Sequence, residues 1–89
     1  MRTIYKYKLD ITYEQHLKII GFESFLKVGV QGDTLFLWCM VDTDNKSLYH
    51  YDVKIYGTGN PINDKGMTKD TYLGTGLMPS GLVWHVFAN

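Results

Sequence analysis

Alanine is almost missing from this chain: Ala88 is the single one among 89 residues, and Glu14 and Glu23 are the only glutamates. Helices draw heavily on both residue types. Against that scarcity stand six valines, six isoleucines, eight threonines and thirteen aromatic residues. β-branched and aromatic side chains favour strands, so composition predicts a mostly β fold.

Other shortages narrow the function. Cys39 is the only cysteine, which excludes an internal disulfide and a cysteine-built zinc site. A lone thiol in an apolar run suits a reducing compartment. Net charge is zero, and Arg2 is the only arginine among nine basic residues. A general DNA binder needs a net basic face, and base-edge readout in the major groove favours arginine, so no duplex DNA partner is expected. A small anionic ligand stays open, because it needs local charge only. The longest uninterrupted apolar run, Leu35 to Val41, falls far short of the roughly 20 residues of a helical span, so no membrane partner is expected. The opening Met-Arg-Thr-Ile-Tyr-Lys-Tyr-Lys holds no apolar signal core, and a cytoplasmic location is expected. An aromatic content of 15% without net charge argues against disorder. The length predicts one domain, residues 1–89, with a core that buries roughly 60–65% of the unfolded surface.

Periodicity predicts six or seven short strands. Arg2 to Leu9 places Tyr5, Tyr7 and Leu9 on one face and Ile4, Lys6 and Lys8 on the other. Residues 13–20 read either as a short helix capped by Thr12 or as a strand with Gln15, Leu17 and Ile19 opposite His16, Lys18 and Ile20; the strand is preferred. Phe25 to Gln31 alternates Phe25, Lys27 and Gly29 with Leu26, Val28 and Val30. Gly32-Asp33 turns it into Thr34 to Asp42, an apolar run that reads as a central strand buried on both faces. Leu48 to Tyr56, with Tyr49, Tyr51, Val53 and Ile55 as its core face, is expected to form a second hairpin with that central strand. Thr71 to Leu77 is a short strand interrupted by Gly74 and Gly76. Leu82 to Asn89 is apolar on both faces, which predicts a central strand or one buried between subunits. The expected fold is a small single-domain β-sandwich or open barrel.

Chemistry-bearing patterns are sparse. Gly57-Thr58-Gly59-Asn60 and Gly74-Thr75-Gly76 can offer backbone amides and hydroxyls to an anion, but the same glycines serve ordinary turns and bulges, and no Walker loop is present. The aromatics Tyr5, Tyr7, Trp38, Tyr49, Tyr51, Tyr56, Tyr72 and Trp84 can stack on bases or simply pack. His16, His50 and His85 lie on three separate segments with no His-x-His pair, so no metal site is expected. His85 shares a strand face with Val83 and Phe87, which suggests a hydrogen-bonded core histidine. The serines lack a Gly-x-Ser-x-Gly elbow, the carboxylates are scattered, and Cys39 has an apolar context that disfavours a thiolate. Neither catalysis nor a cofactor is expected.

Five blocks carry a family resemblance along nearly the whole chain. They are Arg2-Thr-Ile-Tyr-Lys-Tyr-Lys-Leu-Asp-Ile-Thr12, Leu37-Trp-Cys-Met-Val-Asp42, Gly57-Thr-Gly-Asn-Pro-Ile62, Tyr72-Leu-Gly-Thr75 and Gly81-Leu-Val-Trp-His-Val-Phe87. In this order they resemble a family of small phage and prophage proteins that open on a Lys-Thr-Ile-Tyr-Lys-Tyr-Pro-Leu segment. Lys8 stands in place of that proline, Asn60 in place of a loop histidine, and Gly21 to Leu26 lacks the Pro-Lys-Gly turn of the family. These departures remove a loop histidine from the expected site and leave the expected fold intact.

The family is similar to phage anti-CBASS sponge proteins, which oligomerise and sequester cyclic dinucleotide signals such as 3′,3′-cGAMP. The resemblance, not periodicity or spacing, therefore implies a homo-oligomeric immune-evasion protein of the infected bacterial cytoplasm, binding a cyclic dinucleotide without cleaving it. The residues best suited to it are Tyr5 and Tyr7 with Lys6 and Lys8, the Gly57, Thr58, Gly59 and Asn60 turn, Thr75, Trp84 and His85. Aromatics would stack, and amides, hydroxyls and lysines would hold phosphate. The alternative is a protein-interaction module that uses the apolar last strand, Leu82 to Phe87, as an exposed edge. A single-stranded nucleic-acid binder is a third reading, resting on the aromatic strands alone.

Overall fold

The computed structural model describes residues 1–89. Seven strands follow in order: β1 (Arg2–Leu9), β2 (Glu14–Ile20), β3 (Phe22–Gln31), β4 (Thr34–Asp42), β5 (Leu48–Gly57), β6 (Tyr72–Leu77) and β7 (Val83–Ala88). One 3-10 turn, Lys69–Thr71, precedes β6 and is closed by a capping box between Thr68 and Thr71. No α-helix forms, so the ambiguous segment is a strand. Its alternation decides this: Leu17 and Ile19 turn inward while Glu14, His16, Lys18 and Ile20 stay exposed.

The strands make two antiparallel sheets. One has the order β1-β4-β3, the other β2-β5-β7-β6. Their facing sides bury Leu9, Ile19, Val28, Leu35, Leu37, Cys39, Val41, Val53, Ile55, Val86 and Ala88 as one core. At one end Phe22 and Phe25 of β3 meet Tyr51 of β5, each with ring centroids 4.8 Å apart. At the other, β3 and β6 approach closely. A Cβ on Gly74 would stand 3.0 Å from Val28 Cβ, and one on Gly76 would stand 2.5 Å from Leu35 Cδ1. The β6 glycines thus let the sheets close over the core.

Four expectations change. First, β4 and β5 do not pair: β4 lies between β1 and β3, and β5 lies between β2 and β7 in the other sheet. The chain crosses between sheets at the corner where Gly21 and the Asp42–Ser47 turn meet, so consecutive strands separate. Second, β3 carries irregularities between Phe22 and Ser24 and between Phe25 and Lys27. A bulge adds a residue to one strand and flips the alternation beyond it. Phe25 and Val28 both oppose core residues of β4, while Leu26 is 44% exposed. Third, β4 is central, but only Leu35, Leu37, Cys39 and Val41 are fully buried; Phe36, Trp38 and Met40 are half-buried on the outer face. Fourth, β7 is hydrogen-bonded on both sides, by β5 and β6. The central position expected of Leu82 to Asn89 is thus borne out, and what changes is the alternative reading that needs an exposed edge there. No helix is long and apolar enough to cross a membrane.

Candidate functional site

The sheet faces divide the expected site residues into two groups. On β1, Tyr5 and Tyr7 stand opposite Cys39 and Leu37 on the core side. Tyr7 packs against the core, and burial pushes its phenol above the ordinary tyrosine range. It is a packing residue, not a stacking platform. Tyr5 remains half exposed at the edge of the sandwich. Lys6 and Lys8 point outward, where the pairing register builds three rows across the sheet. Ile4, Met40 and Ser24 form one row, Lys6, Trp38 and Lys27 the next, and Lys8, Phe36 and Gly29 the third.

The middle row has the clearest chemistry. Trp38 is flanked in register by a lysine on each neighbouring strand. Gly29 provides the space its indole occupies, since a Cβ there would lie 2.9 Å from Trp38 Cζ3. The ring therefore covers backbone on its inner side. It lines an open cleft of about 440 Å³ with Ile4, Leu26 and Lys27, within the size range of small-ligand sites. Lys6 Nζ donates to Gln31 Oε1 at 2.9 Å and lies 4.5 Å from the Phe36 ring centroid, a cation–π contact. Charge is asymmetric along the face. Arg2 is paired with Glu23 at 2.7 Å at one end, and Lys8 shares a small cleft with Asp10 and Asp33 at the other. Lys6 and Lys27 form no ion pair.

The second group sits on the four-stranded sheet. His85 Nε2 is 2.7 Å from Thr58 Oγ1, and its Nδ1 is 3.0 Å from Thr75 Oγ1. Thr75 also bonds the Tyr72 hydroxyl. His85 is thus hydrogen-bonded, but on the outer face and not in the core; Val86 and Ala88 take the inward positions of β7. The Gly57–Asn60 turn is closed by the Asn60 amide donating to the Gly57 carbonyl at 3.1 Å. That amide is engaged inside the turn. Gly57, Thr58, Asn60, Gly81, Leu82, Val83 and Trp84 line a cleft of about 360 Å³ with no cation on its wall. Trp84 packs against the core and lies close to Gly57. Both nitrogens of His85 are occupied, so this array ties the turn to β6 and β7.

The chemistry of the remaining groups is limited. Burial pushes the Cys39 thiol up to about 12, which opposes a nucleophilic thiolate. No buried side-chain nitrogen or oxygen lacks a partner, and no set of three or more His, Cys, Asp or Glu residues is gathered to hold a metal ion. Strand pairing does bring His16 and His50 together, two histidines that sequence spacing leaves apart. Sequence reasoning also left Lys27 outside the expected site. Its place beside Trp38 depends on the β3 bulge, which has no signature in the alternation of residues 25–31.

The fold and this open face define a two-sheet antiparallel β-sandwich with a basic, aromatic outer surface. The chain belongs to the family described as Domain of unknown function (DUF7352), whose model matches residues 1–89. No curated protein and no solved structure matches it.

Proposed function

We propose that this protein is a non-catalytic binder that sequesters a cyclic dinucleotide, such as 3′,3′-cGAMP, on the outer face of the β1-β4-β3 sheet. The observation that carries the reading is the Lys6–Trp38–Lys27 row. A ring flanked in register by a lysine on each neighbouring strand meets both needs of a nucleotide. The indole stacks on a base, worth about 1–3 kcal/mol, and the ammonium groups hold phosphate. The cation-free cleft beside Thr58 and Trp84 offers no such pairing, so the proposed ligand site leaves out Gly57 to Asn60, Thr75, Trp84 and His85.

Each chain supplies one such Trp38 row, and a cyclic dinucleotide has two bases. The reading therefore includes a homo-oligomer in which two copies close on one ligand. The resemblance to phage anti-CBASS sponges supports a role in blunting a host alarm in the infected cytoplasm, by removal of the signal and not by hydrolysis.

The test is a calorimetric titration and thermal-shift screen with 3′,3′-cGAMP, cyclic di-GMP, their linear counterparts and a short single-stranded oligonucleotide. A ligand at about 100-fold its dissociation constant adds roughly 2.7 kcal/mol of stability. The expected result is saturable binding of a cyclic dinucleotide, released intact on heating. Trp38→Leu, Lys6→Ala and Lys27→Ala each weaken it at least tenfold, and His85→Gln does not. Binding lost in His85→Gln alone would move the site to the four-stranded sheet. Cleaved product would overturn the non-catalytic reading. Preference for the oligonucleotide, with steep salt dependence, would replace the cyclic ligand with a single strand. No binding at all would leave a protein partner as the working alternative.

A further inference from the structure

On the outer face of the other sheet, β2 and β5 assemble a histidine pair that the proposed nucleotide site does not use. His16 lies opposite Asp52, and Lys18 opposite His50. His16 Nδ1 is 2.9 Å from Asp52 Oδ1, and His16 Nε2 is 2.9 Å from His50 Nδ1. The ring centroids are 5.2 Å apart with planes tilted by 33°. With Asp52 accepting the Nδ1–H of a neutral His16, the His16 Nε2 lone pair faces His50. The two imidazoles are thus hydrogen-bonded nitrogen to nitrogen, and the first ring is oriented by a carboxylate from behind.

We propose that His16 Nε2 and His50 Nδ1 chelate one divalent transition-metal ion of tetragonal preference, Cu²⁺ or Ni²⁺, with solvent in the remaining positions. Three features argue for this assignment. Imidazole is a ligand of choice for these ions. A carboxylate on the far nitrogen of a ligating histidine is the usual outer-shell arrangement, fixing tautomer and ring orientation. The third feature is proximity. A hydrogen bond holds His16 Nε2 and His50 Nδ1 2.9 Å apart, so an ion that displaces the shared proton finds both nitrogens within reach. Among the divalent ions Cu²⁺ leads the order of affinity for such ligands. Both rings sit on the exposed side of their strands, so a modest rotation turns both lone pairs toward a shared ion. With two protein ligands only, the site is open to solvent and is not a zinc structural centre.

The experiment uses the full chain without a polyhistidine tag. Cu²⁺, Ni²⁺ and Zn²⁺ chlorides are titrated by calorimetry against a weak chelator, and the Cu²⁺ complex is examined by electron paramagnetic resonance. The expected result is one equivalent of Cu²⁺ with two imidazole nitrogens in its spectrum. His16→Gln and His50→Gln each weaken binding at least tenfold, while His85→Gln retains it. Asp52→Asn keeps both ligands and weakens binding by about 10–100-fold, the usual effect of losing such a partner. Thermal melts of each variant confirm that the fold persists. Wild-type Cu²⁺ affinity in His16→Gln or His50→Gln, a single-imidazole spectrum, or tighter binding of Zn²⁺ than of Cu²⁺ would overturn the proposal. None of these outcomes bears on the Trp38 face, which lies on the other sheet.

Discussion

The amide of Asp42 donates to the carbonyl of Gly21 at 2.8 Å, and a Cβ placed on Gly21 would lie 2.2 Å from the Asp42 carbonyl oxygen. Gly21 has φ +71° and also donates its own amide to Ser47 at 2.9 Å. It is the corner at which the chain leaves β2 and enters β3, and it binds both ends of the β4–β5 connection. A side chain there meets a strained dihedral and an immovable backbone together. Gly21→Ala is therefore expected to cost about 2–4 kcal/mol. Gly32→Ala is the control. It has φ +63° but nothing within 4 Å of a Cβ, and should cost only the left-handed conformation, about 1–2 kcal/mol. Urea unfolding of both variants checks the difference; equal losses would refute the corner's role.

Gly76 should behave differently, because the atom it meets can move. Its Cβ would press on Leu35 Cδ1 at 2.5 Å, in a core where Leu35 is 1% exposed. Overpacking of this kind costs about 1–3 kcal/mol. Leu35→Val shortens the opposing side chain, so the double variant Gly76→Ala/Leu35→Val should be more stable than the sum of the single losses predicts. A double-mutant cycle by chemical denaturation measures the coupling, and strict additivity would contradict the close sheet approach.

The Thr58–His85–Thr75 tie predicts a modest local effect. Thr75→Val removes the hydroxyl shared by His85 and Tyr72 and should cost about 1 kcal/mol. Hydrogen exchange should rise at the Asn60 amide, because His85 loses one of its two anchors and the Gly57–Asn60 turn loosens. Unchanged exchange in the turn would show that Thr75 does not support it.

Alkali should destabilise the protein through buried acids. Burial pushes the Cys39 thiol and the Tyr56 phenol up to about 12, with the Tyr13 hydroxyl adding to the shift at Tyr56, and it also raises Tyr51. Above about pH 9 the unfolded chain begins to lose these protons while the folded chain keeps them. The unfolded state then binds fewer protons, so stability falls as pH rises from there toward 12. At the acid end the sign reverses. Asp42 and Asp64 are held below the usual carboxylate range, Asp42 first by the Asp44 amide and Asp64 first by Lys54. Their contribution is present above the ordinary carboxylate pKa and is lost as pH falls through the lowered one. Thermal melts across pH 3–11 should therefore show a central plateau, and a thiol reagent should modify Cys39 only as fast as the protein opens. Rapid modification of the native protein would contradict its burial.

Much of this architecture is legible in the residues themselves. Scarce alanine and abundant β-branched and aromatic side chains decide the strand content, because they act through local conformational preference. Alternation identifies the inward faces of β1, β2 and β5, and the doubly apolar segment from Leu82 to Asn89 marks a central strand. These are properties of a strand and its two faces, and each can be judged within a few residues.

Partnership between strands is different. Whether β4 pairs with β5 or parts from it depends on how the backbone turns at Gly21. Which face Phe25 presents depends on a bulge at Leu26 that composition does not encode. Register alone sets Lys27 beside Trp38 and His16 beside His50, because cross-strand neighbours far apart in the chain leave no spacing in the sequence. The amino-acid order by itself determines a small, neutral, all-β chain with rings and lysines to spare. Only the folded sheets decide which of them meet, since meeting requires long-range pairing that no local preference specifies.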